Sequence, residues 1–529
     1  MKKSPLLAVI IILVLLVTAC SQGSNGGTDS GTNGGTSPSP GNTTAPPQQE
    51  ETVSIKVMAN YNTPEQTESD KKFIAELEEK NNVKLEFVVP PATGYNEQLQ
   101  LMLASNDYPD VVLFPDSADA NFLNAVKEGI VIPVNEYTKN AEFLQRHTYQ
   151  ASWDQLRVTQ DDHIYGIPRT SVVRNDAFYL RKDWLDNIGF TLPDNGEITL
   201  AQFEEILNKF TNEDPDRNGT KDTYGYGGAY NATNKVLEVI VPGAFGLTGW
   251  QASSGGEFEY MNPLYDRKTD NYKKALEFTA KMYTNGYFDP DSATNDSAKQ
   301  RERFVRGLTG VFPGFAGHYV GINKDLKANN PEAELAYVFV QNDKGTVEGG
   351  SLGASSTGLW GFWAITNTAK NPQKIVDVLN SWISDDMWEK TADGYEGIDY
   401  EVKDGIKVAM DPPAPASHFR RSSMRRANDT SFFLSVGMSK EQLDLVVPWL
   451  EKAIATVVPA KDNAFVPDAA KKPNFIDYTK LWEQTTMKII MGAEPVTKFD
   501  ELLEGWYKNG GEEYVAQMNE YIKKMEAGK

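Results

Sequence analysis

"VSIKVM" (53–58), "KLEFVV" (84–89) and "DVVLF" (110–114) are three short apolar runs separated by helical patterning. Val53, Ile55 and Val57 alternate with polar residues, as a half-buried strand does. Between the first two runs Phe73, Ile74 and Leu77 recur at helical spacing, and a second helical stretch precedes "DVVLF". The order is therefore β-α-β-α-β, which predicts an α/β fold with a mostly parallel sheet flanked by helices. In such sheets ligands gather at the carboxyl ends of the strands, so the loops after Met58 and Phe114 become candidate binding loops.

Working outward, 529 residues exceed what one core organises, and two or more domains are expected. Asp and Glu number 73 against 52 Lys and Arg, a formal charge of -21. A surface of that sign repels phosphate backbones, so nucleic acid is excluded as a partner.

Before the first strand lie Lys2-Lys3, twelve apolar residues from Leu6 to Val17, and Thr18-Ala19-Cys20. A basic start, a short apolar stretch and small residues form an export signal, expected over 1–19, and twelve apolar residues fall short of the roughly 20 that span a bilayer. "LVTAC" (16–20) resembles the lipobox of bacterial lipoproteins, which implies a lipid anchor on Cys20. Cys20 is the only cysteine, so it has no disulfide partner within the chain. Residues 20–51, rich in Gly, Ser, Thr, Asn and Pro, offer almost nothing to bury and read as a flexible tether.

Further along, Thr199 and Gln202 form a capping box ahead of Phe203, Ile206, Leu207 and Phe210. Asn371-Pro372 opens another helix, and "GLWGFWAIT" (358–366) reads as a strand loosened by glycine. Near the carboxyl end Gly510-Gly511 interrupts the pattern before a last helix striped with Tyr514, Met518, Tyr521 and Met525.

"DPDRNGTKDTYG" (214–225) follows the capped helix directly. With Asp214 as position one, Asp216, Asn218 and Asp222 stand at three, five and nine, Gly219 holds the tight turn, and Thr220 can offer its carbonyl at seven. That spacing is the EF-hand calcium pattern as far as position nine. Position twelve is Gly225 rather than a bidentate Glu, which argues against a calcium sensor and for a structural Ca²⁺. Hard oxygen donors suit Ca²⁺ over Zn²⁺. A bare Asn-Gly surface turn is the alternative.

No catalytic signature emerges. The four histidines lack paired zinc spacing, and neither a G-x-S-x-G elbow nor a phosphate-binding glycine loop is present. Paired carboxylates for glycoside hydrolysis stay open among 73 acids. Ten Trp, 23 Tyr and 24 Phe are more informative, several beside glycines in "GLTGW" (246–250), "GVFPGFAGHY" (310–319) and "GLWGFW" (358–363). Rings on such turns suit the C–H face of a pyranose, although most tryptophans are ordinary core.

Taken together, "ASNDYPDVVLF" (104–114), "IYGIPR" (164–169), "FYLRKDWLDNIG" (178–189), "DPDRNGTKDTYG" (214–225) and "YTKLWEQTTMKIIMG" (478–492) resemble the extracellular solute-binding proteins of carbohydrate ABC transporters. That family contains maltodextrin- and alginate-oligosaccharide-binding proteins. The resemblance implies a two-lobed, periplasmic-binding-protein-like fold, each lobe a mostly parallel sheet flanked by helices, joined by a hinge that the chain crosses several times. Residues 52–167 with about 362–437 would form one lobe, and 168–361 with about 438–529, including the loop 214–225, the other. The implied protein is a monomer that holds an oligosaccharide and serves ABC permease subunits. It would stand on the outer face of the cell membrane, tethered through Cys20.

By the same resemblance, Phe114 and Asp116 present an aromatic ring and a hydroxyl-binding acid, and Phe315 takes the place of a stacking ring. Tyr61, Trp250 and Trp360 lie near the expected crevice. Arg174 either forks onto a ligand carboxylate or makes a hinge salt bridge. "FRRSSMRR" (419–426) is a solvated face, a site for an acidic sugar or a contact for an acidic transporter surface. An anchored polysaccharide-degrading enzyme and a sugar sensor for a histidine kinase are the alternatives.

Overall fold

The computed structural model describes residues 51–59, 66–90, 94–159, 162–231, 236–253, 258–350, 356–410, 418–427, 429–434 and 436–527. Cys20 and Tyr61 lie outside them.

The three opening runs become strands β1 (Val53–Met58), β2 (Val83–Val88) and β3 (Val111–Phe114), and β1 pairs in parallel with both others. Between β1 and β2 the helix Glu68–Asn81 starts on a capping box of Thr67 and Asp70 and buries Phe73, Ile74 and Leu77. The first sheet is completed by β4 (Ile167–Thr170). Five later strands, β5 (Ala177–Arg181), β6 (Glu197–Ile198), β7 (Tyr224–Tyr226), β8 (Thr309–Gly314) and β9 (Leu335–Val340), form a second five-stranded sheet, with short two-residue strands between β7 and β8 pairing outside it. The chain then returns through β10 (Leu359–Ile365), which lies between β3 and β4.

Both sheets are mixed rather than mostly parallel. β10 runs antiparallel to β3 and β4, and β5 runs antiparallel to β8 and β9. Neither strand is delivered by a helical crossover within its own sheet, and parallel pairing depends on that connection. β10 comes back from the second sheet, and β5 arrives directly from the first.

Alternation divides the second sheet cleanly. Ala177, Tyr179, Leu335, Tyr337 and Phe339 enter one core. Phe178, Leu180, Ala336, Val338 and Val340 enter the opposite one, beside the helix Leu200–Asn212. A further core joins Trp250, Tyr260 and Tyr272 to the last three helices, Pro473–Ile490, Lys498–Trp506 and Glu512–Ala527. The chain passes from first sheet to second after Thr170 and back before Leu359. It leaves again between Met424, in the first core, and Met438, in the core beneath Tyr179.

The capping box of Thr199 and Gln202, the Asn371 cap followed by Pro372 and the break at Gly510 (φ 116°) all form as their residues predict. Among the described residues no helix is long and apolar enough to cross a membrane.

Candidate functional site

At the carboxyl ends of β7 and β8 the structure holds a cavity of about 470 Å³, within the size range of small-molecule sites. Because β5 is antiparallel, its first residues, Ala177 and Phe178, reach the same end. Tyr265 and Trp482 supply half-buried rings, the buried Tyr226 and Tyr272 stand in the wall, and Asp176, Glu238 and Glu483 supply carboxylates. Tyr265 is held by stacking on Trp506 at 4.1 Å and 3°, and the two lining rings Tyr272 and Trp482 lie parallel to each other at 6.0 Å and 4°. Locked aromatic faces beside hydrogen-bonding acids suit a sugar, with its apolar C–H face and its rim of hydroxyls.

Burial alone pushes the Glu238 carboxyl above its usual range. Burial also raises Asp176, against the opposing pull of Arg174 beside it. Carboxylates kept where ionisation is disfavoured are a mark of functional sites. The folded chain holds the Glu238 proton to a higher pH than the unfolded chain does, so this group makes stability fall as pH rises through and above the ordinary glutamate range. Glu238→Gln is therefore expected to raise Tm at pH 7.5. The difference should close on acidification below about pH 4, where glutamate is protonated in both states. Thermal unfolding across pH tests this, and an unchanged or lower Tm at pH 7.5 contradicts it.

Asp176 links the cavity to the crossing segment. Arg174 Nε donates to Asp176 Oδ1 at 2.9 Å, and Arg174 Nη1 donates to the Val172 carbonyl at 3.2 Å. The same guanidinium lies 3.7 Å from the Phe315 ring centroid. Phe315 is only 4 % exposed, closed in by His318 and Phe433, so it is a core ring covered by arginine rather than an open stacking platform. Arg174 makes the salt bridge that was one of its two expected roles.

Trp360 behaves differently. It is 51 % exposed and is the only exposed residue of β10. Gly361 follows it at φ 94°, and the register of β10 against β4 shifts between Leu359 and Phe362. Such a bulge re-aims a side chain. A Cβ on Gly361 would come within 2.9 Å of the Phe114 carbonyl, so only glycine permits this approach. The Trp360 carbonyl accepts a hydrogen bond from Arg169 Nη1. Over the ring stand Arg425, 4.7 Å from a centroid, and Arg169, 6.0 Å away.

Other expected site residues go elsewhere. Phe114 is wholly buried, stacked on Phe362 at 5.7 Å and 16°, and Trp250 is 1 % exposed in the core beside Tyr514. Both are core residues, because the strand or turn that carries each directs its ring inward. Asp116 is exposed beyond β3 and caps a turn through the Ala118 N–H. The arginine run is not a solvated face: Arg420 is 2 % exposed beside Ser69 and Asp399, Arg426 donates to the Ile383 carbonyl and Asp385, and Arg425 is buried against Trp360.

In the loop after the helix Leu200–Asn212, Asn218 Nδ2 bridges Asp216 Oδ2 at 2.7 Å and Asp222 Oδ1 at 3.2 Å. The Gly219 N–H donates to Asp214, and the Thr220 N–H to Asn218 Oδ1. Burial first, then Asp214 and Asp222, raise the Asp216 carboxyl. Among the described residues no three acidic, histidine or cysteine side chains stand in a geometry that could hold a metal ion. The missing twelfth position has a physical cause: a Cβ on Gly225 would lie 2.6 Å from the Leu207 carbonyl oxygen, so this residue is committed to helix packing.

The cavity residues Glu238, Tyr265 and Tyr272 carried no local signal in the sequence, and Trp482 lay in the stretch 478–492 without a role assigned to its ring. They come from segments far apart in the chain, and only the fold brings them together.

Comparison with known proteins places these features in context. The profile of a family described as bacterial extracellular solute-binding protein matches residues 72–416. Lipoprotein LipO of Bacillus subtilis is 25% identical over 487 residues, covering 88% of this chain and 91% of that protein. The polygalacturonan/rhamnogalacturonan-binding protein YtcQ of Bacillus subtilis is 23% identical over 457 residues, with 85% and 88% covered. Among solved structures, an EF-hand mutant of the S. pneumoniae ABC-transporter substrate binding protein FusA, in complex with fructo-nystose, superposes with a TM-score of 0.64 at 18% identity. It covers 90% of this chain and 100% of that one, and shows that the two share a fold.

Proposed function

Because this chain belongs to the bacterial extracellular solute-binding proteins, we propose that it captures an oligosaccharide outside the cell and delivers it to an ABC importer. The observation that carries this is the cavity at the carboxyl ends of β7 and β8, where locked rings stand beside buried acids. YtcQ, named for polygalacturonan and rhamnogalacturonan binding, and FusA, solved with fructo-nystose, agree with it. Two lobes, 52–167 with about 362–437 and 168–361 with about 438–529, close on the ligand about the segments joining the two sheets. Families of this kind close by hinge motion, and a ligand that prefers the closed form shifts that equilibrium.

Titration with neutral and acidic oligosaccharides is expected to raise Tm by linkage, by about 2.7 kcal/mol of stabilisation at a hundredfold excess over Kd. No new reducing ends should appear during incubation. Cleavage would make the protein an anchored polysaccharide-degrading enzyme, and the absence of any thermal response would remove the capture function. A sugar sensor for a histidine kinase would bind the same ligands, and uptake by cells lacking the importer permease separates that role from transport.

Cys20 carries the lipid anchor, and residues 20–51 form the tether that holds a monomer at the outer face of the membrane. The lipobox supports this, as does the similarity to a protein named a lipoprotein. Metabolic labelling with a palmitate analogue should mark the wild type and not Cys20→Ser.

Asp214, Asp216, Asn218, Thr220 and Asp222 hold a structural calcium ion. Three carboxylates and an amide on one turn suit a hard cation, and positive charge there would offset the burial and, after it, the acidic neighbours that raise Asp216. The cation orders the turn after the helix Leu200–Asn212. With a Kd of about 10⁻⁴ M, 1 mM Ca²⁺ restored after chelation should add about 1.4 kcal/mol of stability. Asp216→Asn should lose that response, and an identical Tm with calcium and with chelator would contradict the assignment.

A further inference from the structure

The helix Pro473–Ile490 carries most of the stretch 478–492, and only one of its faces belongs to the cavity at the ends of β7 and β8. Thr479, Trp482, Glu483 and Thr486, three or four residues apart, line that cavity. The neighbouring row, Ile476, Lys480, Gln484 and Met487, lines a second hollow of about 840 Å³, also within the size range of ligand sites. Ile476 is 41 % exposed and Lys480 and Gln484 are exposed, so this hollow is a groove open to solvent.

Cavity and groove share one wall. Tyr265, Thr479 and Glu483 line both, and each is half-buried, as a side chain with a hollow on either side is. Thr479 and Glu483 stand one helical turn apart, so together they form a single ridge between the two. The aromatic framework continues across it: Tyr265, fixed on Trp506, meets Tyr514 at 6.1 Å and 75°, and Tyr514 lies parallel to Phe475 at 5.2 Å and 15°. Tyr514 and Phe475 both line the groove. Beside these rings the Gln484 amide both donates and accepts, and the Lys480 ammonium donates, while Ile476 and Met487 supply apolar surface. Rings and apolar atoms next to groups that pair hydroxyls repeat the chemistry of the cavity. An unrelated small molecule would account for the groove but not for the wall it shares.

We propose that the groove is an outer subsite for the same ligand, an oligosaccharide that fills the cavity with one end, crosses the ridge of Thr479 and Glu483 beside Tyr265, and continues over Ile476, Lys480 and Gln484. This rests on the saccharide-capture function proposed above and adds to it the path and the length of the ligand. The substrate is a saccharide chain rather than a single sugar or a disaccharide.

The test is calorimetric titration of the full protein with homologous oligomers, from two units to six, of galacturonan, xylan, cellulose and inulin-type fructan. In a series that binds, affinity should rise about tenfold or more from the shortest member that binds to the longest, as expected from one or two further hydrogen bonds. Lys480→Ala combined with Gln484→Ala should remove that rise, so that long and short members bind alike. Both side chains are exposed, and an unchanged urea midpoint verifies that the double variant is folded. If affinity does not grow with length, or grows as much in the double variant as in the wild type, the outer subsite is wrong while saccharide capture stands. If no series binds at any length, capture falls and the subsite with it.

Discussion

Trp360→Ala is expected to weaken oligosaccharide binding about 30-fold, the effect of losing about 2 kcal/mol at a tryptophan anchor. Stability should change by less than about 1 kcal/mol, because little more than the contacts with Arg425 and Arg169 is lost and exposed cation-π pairs contribute about 0.5–1 kcal/mol. Two observations combine to give this result. The ring is 51 % exposed, so its removal leaves no cavity, and it is the one residue of β10 that the bulge at Gly361 turns away from the core. Calorimetry with the oligosaccharide that gives the largest thermal shift, paired with urea denaturation of the free protein, measures both quantities. Unchanged affinity would remove Trp360 from the site.

Phe114→Ala should do the reverse. Its ring is fully buried between Phe122 and Phe362, and truncating such a side chain costs about 3–5 kcal/mol through lost burial and the cavity left behind. The urea midpoint should fall accordingly, while affinity, measured under conditions where the variant remains folded, should stay within about threefold of wild type. A stable variant that binds poorly would mean that the ring reaches the ligand after all. The two substitutions together separate aromatic residues that hold the fold from those that meet the ligand, a distinction their side-chain chemistry does not reveal.

The elements themselves were plain in the sequence wherever the physics is local. Alternation at Val53, Ile55 and Val57, the capping box at Thr199 and Gln202, the proline after Asn371 and the glycines near 510 each act within a few residues, and each formed as expected. Strand direction was less legible. β5 and β10 run antiparallel to neighbours that come from remote parts of the chain, and nothing within either strand encodes its partner. The same limit explains the binding rings. Trp250 and Phe315 sit beside glycines much as Trp360 does, yet those two are core and Trp360 is exposed. The arginine run shows the limit in charged form, since Arg420 and Arg425 are buried by partners such as Ser69 and Trp360 that the run itself cannot announce.

Chain composition and short-range pattern were enough to establish an acidic α/β protein with an EF-hand-like turn, because charge, helix caps, strand alternation and turn glycines are properties of neighbouring residues. The assembly of Tyr265, Tyr272, Trp482 and Glu238 around one cavity, the outward turn of Trp360 and the gathering of arginines on it came only with the folded chain. Those features depend on which distant segments share a space, and that is decided by packing two sheets and their helices together rather than by any stretch alone.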